Sequence, residues 1–444
     1  MILFKNILIS ENRAVTSKDL LVDNGVIKDI GFDLIKKYKA KQIFDFEGKG
    51  LALAGACDVH VHLREPGYEY KEDIYSGTSS ASKGGVTAVL AMPNTNPATD
   101  SAEKILHLKS LIDKNASVAV YPFSAITKGQ KGNELVDIEG ISEHTKFFTD
   151  DGVGVNDLTL LKEAMLRIKQ IGGIIASHAE AEGELTSEEM ETVAVEREIA
   201  LVKETGAKYH FCHISLKKSL QLIEDAQKSG CDISCEIAPH HLFLSAHSAQ
   251  RTAHNEGKES AHSAQRTAHN EGNINKDSTP MPYALCPMPS NYKMNPPLRS
   301  HEDMLYCREA LLKGVATIVA TDHAPHSREE KARSYENAPN GIIGLETMIP
   351  LLYTNFVKTG LASVEDLLNW VSVNPRARFG IPKAEIKIGS KADFTIIDTQ
   401  TTRAYTESEN KSKSANSPFF GQEMCGFTLF TIYNGKIIYN SKEV

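Results

Sequence analysis

The stretch Asp58-Val59-His60-Val61-His62 completes a short apolar run that begins at Cys57. On an extended strand, residues two apart share a face, so His60 and His62 should converge. Seven similar runs follow: Val86 to Ala91, Val118 to Phe123, Lys146 to Thr149, Ile174 to Ser177, Tyr209 to Cys212, Asp232 to Ile237 and Thr317 to Ala320. Helix-like stretches such as Ala102 to Lys114 and Leu158 to Gln170 lie between most of them. Alternation of this kind predicts a parallel sheet, and eight units predict an α/β fold, a closed (β/α)8 barrel of the TIM type. In such a barrel the face shared by the two histidines is the interior. The end of their strand then lies at the mouth, where barrel enzymes place their chemistry.

Working outward, the rhythm changes at both ends of the chain. Residues 1–54 and 384–444 read as short strands, among them Ile7-Leu8-Ile9, Phe394-Thr395-Ile396-Ile397 and Lys436-Ile437-Ile438-Tyr439. They predict a small β-sandwich formed by the two terminal segments, with the barrel at 55–383 inserted between them. Inside the barrel, SAHSAQRTAHNEG at 245–257 returns letter for letter at 260–272. Two copies are too few for a solenoid. With the Pro-punctuated sequence that follows, they predict an insertion at about 245–289, whose four histidines read as a solvated loop rather than a metal site.

Composition narrows the class of partner. The 444 residues are 41% hydrophobic and 24% charged, the balance of a folded globular chain. A net charge of −8 without a Lys/Arg cluster argues against nucleic acid or an anionic membrane surface. No stretch reads as a bilayer span, and MILFKNILIS lacks the features of a secretory leader, so a cytoplasmic enzyme is expected. The seven cysteines are sparse, and Cys231 and Cys235 lack redox or zinc-ribbon spacing, which predicts reduced thiols.

A His-x-His pair on a strand also fits a hydrogen-bonded core pair. What changes the reading is that Asp151, His178, His213 and Asp322 close four other expected strands. Four imidazoles and two carboxylates on one rim suit zinc, and they over-supply a single ion. Two ions sharing a carboxylate fit this donor set better than one. Spacing leaves Asp150 as a rival to Asp151 for the shared position.

The segments DVHVHLREPG, AMPNTNP, FFTDDG, SHAE, CHIS, YKMNPPLR, ATDHAPH and GIIGLET, in this order and across nearly the whole chain, resemble the bacterial class I dihydroorotases of the amidohydrolase superfamily. The resemblance implies reversible cyclisation of N-carbamoyl-L-aspartate to L-dihydroorotate in pyrimidine biosynthesis. It implies that His60, His62 and Asp322 hold one zinc, that His178 and His213 hold a second, and that Asp151 bridges them where many relatives use a carboxylated lysine. Zinc then supplies hydroxide at neutral pH, and Asp322 serves as general acid and base. His62 and Arg64, with Asn94, Asn295, His326 and the backbone at Asn340 and Gly341, form the implied substrate set; a guanidinium matches a carboxylate with two parallel hydrogen bonds.

The family also allows a homodimer and an association with aspartate transcarbamoylase. Two rivals keep the fold: a hydantoinase or allantoinase, and an inactive dihydroorotase-like scaffold subunit of that transferase. His240, His241, His323 and Trp370 read as structural. Two departures from the family pattern stand out, a shortened stretch between His178 and His213 and a lengthened one between His241 and Asn291.

Overall fold

The computed structural model describes residues 1–246 and 288–442. Beyond its first two residues, the 245–272 repeat therefore lies outside the described residues, as do its histidines.

The N-terminal segment supplies β1 (Ile2–Glu11), β2 (Ala14–Asp23), β3 (Val26–Gly31), β4 (Gln42–Asp45) and β5 (Gly50–Ala54). The barrel strands follow as β6 (Ala56–Val61), β7 (Val86–Ala91), β8 (Ala119–Pro122), β9 (Phe147–Phe148), β10 (Ile174–Ser177), β11 (Tyr209–Phe211), β12 (Ile233–Ile237) and β13 (Ile318–Val319). Each of the eight expected runs thus holds a strand, most of them a residue or two shorter than the run. Parallel ladders join β6 to β8 and β9 to β13. The parallel bridges Ser124–Phe148 and Val61–His323 close the two seams, so the ladder returns on itself.

Register slips twice along β6, between Ala56 and Cys57 and between Asp58 and Val61. Alternation is therefore not strict on this strand, as is common for bulges beside active sites. Cys57 and Val59 join Ala88, Leu90, Ile174, Ala176, Ile318 and Ala320 in an apolar cluster that fills the barrel, while His60 and His62 stand above it with ring centroids 5.4 Å apart. A larger cluster lies between the strands and the surrounding helices, and Trp370 is buried within it, edge-on to Phe356.

The C-terminal segment adds β14 (Phe394–Asp398), β15 (Arg403–Ala404), β16 (Glu423–Met424), β17 (Thr428–Tyr433) and β18 (Lys436–Asn440). Among the described residues one sheet runs β18-β17-β14-β5-β1-β2-β3, with β4 also paired to β1. β1 bends at an irregularity between Phe4 and Ile7, pairing with β4 before it and β5 after it. Strands from both ends of the chain thereby enclose one core, where Phe4 meets Phe394 and Phe430 edge-on. Between β14 and β17 the chain leaves this sheet, and Tyr405, Phe419 and Met424 pack into the main barrel core. No described helix is long and apolar enough to cross a membrane.

Outside the barrel wall, Gly84 shows how little room the packing leaves. A Cβ there would stand 2.1 Å from the backbone oxygen of Leu345, which cannot swing aside as a side chain can. Gly84→Ala should cost about 1–3 kcal/mol of stability, read as a lower thermal midpoint at unchanged metal content. A midpoint equal to that of the parent protein would contradict this packing.

Candidate metal centre

The six ligand-type residues at the strand ends meet at one point. His60 Nε2 lies 3.3 Å from Asp151 Oδ1 and 3.4 Å from Asp322 Oδ1. His62 Nε2 is 3.1 Å from Asp322 Oδ1 and 3.5 Å from Asp151 Oδ2. From the other side, His178 Nδ1 and His213 Nε2 face each other at 3.0 Å and lie 3.7 and 3.8 Å from Asp151 Oδ1. Asp151 therefore stands between the two histidine pairs, and Asp322 sits with the first. All six side chains are buried. Backbones at His213 (φ 33°), Asp322 (φ 49°) and the neighbouring Arg64 (φ 63°) occupy the left-handed region. Non-glycine residues hold that conformation at a cost, and such strain gathers at functional sites.

The chemistry of the neighbours fixes which imidazole nitrogen is free. His60 Nδ1 donates to Glu236 Oε1 at 2.8 Å and His62 Nδ1 to Asn94 Oδ1 at 2.8 Å, so both Nε2 atoms turn inward toward the carboxylates. Glu180 Oε2 accepts from His178 Nε2 and from Asn295 Nδ2, each at 2.8 Å, leaving His178 Nδ1 inward. Glu236 also bonds His210 Nε2 at 3.0 Å. Burial opposes its charge, but the bonds from His210 and His60 outweigh that and hold Glu236 at about 2. Burial likewise opposes charge on Asp151 and Asp322, yet the surrounding histidines hold both well below the usual carboxylate range.

Two ionised carboxylates in a buried pocket demand positive charge. His60 Nε2 and Asp151 Oδ1 are buried atoms without a hydrogen-bond partner among the described residues, although they point at each other. Two groups of three meet the spacing for an ion, His60 with His62 and Asp322, and His60 with Asp151 and His213. This donor set fits divalent zinc. A third group, His60, Cys212 and Glu236, does not: burial pushes the Cys212 thiol far up, and Glu236 already serves two histidines.

Asp150, the rival for the shared position, turns away. It accepts from the backbone of Ile126 at 2.8 Å and Thr127 at 3.2 Å and from the Thr127 hydroxyl, and burial raises it to about 6. His323 faces Glu72 at 3.4 Å, and His241 Nε2 bonds Pro296 O at 3.1 Å.

Beside the centre opens a cavity of 220 Å³ whose walls include His62, Arg64, Asn94, Asn295, His326, Asn340 and Gly341. That is room for one small ring. Arg64 is anchored through Nε to Pro325 O at 3.1 Å and through Nη2 to His326 Nε2 at 3.2 Å. Burial, then Arg64 and Lys71, push His326 down to about 2, so its ring is neutral. Asn94 and Asn295, expected as substrate residues, reach the cavity but spend their amides on His62 and on Glu180 and His178. The Gly341 amide donates to Lys293 O at 2.9 Å, and its carbonyl is likewise taken within the protein. Sequence reasoning missed Glu236, Glu180 and His210. An acid inside the apolar run Ile233–Ile237 was the available signal for the first.

Glu236→Gln should weaken metal affinity by about 10–100-fold, measured by competition with a chelator; unchanged affinity would remove Glu236 from the support of His60. Asp151→Asn should lose bound metal, whereas Asp150→Asn should keep it and change mainly the melting temperature. The reverse pattern, by metal analysis, would exchange the two roles.

A family model described as Dihydro-orotase-like matches residues 49–190. The chain is 37% identical to a dihydroorotase of Halalkalibacterium halodurans over 98% of this chain and 97% of that one. It is 36% identical to one of Staphylococcus epidermidis over 100% of both. Among solved structures, the L-hydantoinase (dihydropyrimidinase) of Arthrobacter aurescens superposes with a TM-score of 0.81 at 24% identity, covering 99% of this chain and 96% of that one. The dihydropyrimidinase of Brevibacillus agri gives 0.80 at 19% identity, covering 99% and 95%. At these identities the two show a shared fold. Identity above a third, sustained end to end with the dihydroorotases, says more: this chain belongs to the dihydroorotase family.

Proposed function

We propose that the cavity interconverts N-carbamoyl-L-aspartate and L-dihydroorotate, with His60, His62 and Asp322 holding one zinc ion, His178 and His213 a second, and Asp151 shared. The observation that carries this reading is the position of Asp151 between two histidine pairs, facing a cavity lined by Arg64. Bound zinc supplies Lewis acidity, polarising a carbonyl and acidifying water near neutral pH.

The chain's own groups do the rest. Asp322 Oδ1, ionised and 3.1 Å from His62, accepts the proton of the attacking water and delivers it to the departing ring nitrogen. In the synthetic direction it takes that proton from the carbamoyl nitrogen, which closes on the side-chain carboxyl carbon as water leaves. Arg64 binds the ring carboxylate, with neutral His326 beside it completing the polar wall. Asn94 and Asn295 act twice, holding ligand histidines and bounding the ring.

A hydantoinase shares this barrel, but the full-length relatives named dihydroorotase favour the carboxylated substrate. An inactive scaffold would have no use for six gathered ligand groups. Assembly as a homodimer, or with aspartate transcarbamoylase, belongs to the same reading on family resemblance alone.

Metal analysis of the purified protein, combined with hydrolysis assays on dihydroorotate, hydantoin and allantoin, tests this. Dihydroorotate should be preferred, and Asp322→Asn should lower kcat by at least ~100-fold. Preference for hydantoin or allantoin, or near-normal turnover in the variant, would defeat the reading.

A further inference from the structure

Lys331 is only 1% exposed, and its ammonium is enclosed by backbone carbonyls. Nζ donates to Gly341 O at 2.9 Å, Pro339 O at 3.1 Å and Lys293 O at 3.3 Å. These carbonyls belong to two loops that form one wall of the substrate cavity, which Asn295, Asn340 and Gly341 line. The loops are joined again where the Gly341 amide donates to Lys293 O. Gly341 packs closely against Ala324. Its φ is +131°, and a Cβ there would meet Ala324 Cβ at 2.7 Å and Ala324 O at 2.8 Å.

A second grip falls on the same carbonyl from the C-terminal segment. Asn416 Nδ2 donates to Gly341 O and to Ala324 O, each at 3.0 Å, and Asn416 Oδ1 accepts from the His326 amide at 3.2 Å. Asn416 is itself 2% exposed. Ala324, His326 and Gly341 all line the cavity.

We infer that Lys331 is a positioning residue for the substrate carboxylate: it fixes the cavity wall at Gly341 and adds positive potential there, while Asn416 sets the position of that wall without charge. The inference rests on the cavity being a dihydroorotate site. Two physical features separate the roles. A buried ammonium acts over several ångströms on an anion because the medium around it screens weakly, and its field adds to those of Arg64 and Lys71 at His326. The amide of Asn416 holds geometry alone. A ligand without the carboxylate should therefore feel only the geometric part.

Lys331→Met keeps most of the unbranched stem of the side chain and removes the charge. The experiment compares inhibition constants for orotate and its uncharged methyl ester, with KM and kcat for dihydroorotate and bound metal measured alongside. Orotate binding and KM should weaken by about tenfold or more, the scale of one lost charge-assisted interaction. The ester should change by less than about threefold and metal content should hold. Equal weakening of both inhibitors would reduce Lys331 to a structural role, and unchanged orotate binding would remove it altogether. If Lys331→Met does not fold, Lys331→Gln takes its place with the same expected split between the two inhibitors, and Asn416→Ala tests the geometric grip. It should weaken orotate and the ester alike by about threefold, the scale of one neutral hydrogen bond, and unchanged binding would overturn the grip on Gly341. Parent protein that binds neither orotate nor dihydroorotate would instead defeat the functional reading, and this inference with it.

Discussion

Two carboxylates kept ionised below the protein surface are the constraint around which this barrel is organised. Asp151 and Asp322 approach the same imidazole from different strands, and both are buried. Like charges at such range repel strongly in a weakly screening medium, so the arrangement persists only with cations between them. Nearly every polar group around the centre then has a definite task. Glu236, Asn94 and Glu180 each bind the outer nitrogen of one ligand histidine, so that the inner nitrogen offers a lone pair. Asp58 and Asp150, one or two residues before key ligand-type residues, are occupied with backbone amides and threonine hydroxyls and stay out of the centre.

Much of this was legible in the sequence because barrels write their interior in short periods. The eight apolar runs located all eight strands, and the polar residue just past an apolar run marked the mouth five times over. The legibility had a physical limit at β6, where strict alternation was the argument and a bulge is the fact. His60 and His62 still converge, with ring centroids 5.4 Å apart. Asp150 and Asp151 could not be told apart by spacing, since adjacent residues at a strand end diverge according to which hydrogen bonds capture them. Here the amides of Ile126 and Thr127 captured Asp150.

Supporting residues were the least visible. Glu236 lies in a short, fully buried strand, where an isolated acid reads as a register accident until its two histidine partners are seen. The double duty of Asn94 and Asn295 depends on contacts far apart in sequence, which no local pattern encodes. The polar stretch around Ser412 to Ser417 resembles an ordinary surface loop. Its role against the barrel follows from Glu72, His326 and Gly341 lying within reach of its side chains and amides.

A single residue, Gly55, separates β5 of the terminal sheet from β6 of the barrel. A Cβ at that glycine would collide with Thr87, 2.2 Å away at its hydroxyl, so the junction admits no spare length. Sliding β5 by one residue against β1 or β14 would turn its own core side chains to the opposite face and displace the start of β6, one residue further on. The aromatic core of the terminal sheet thus anchors the chain where it enters the first barrel strand.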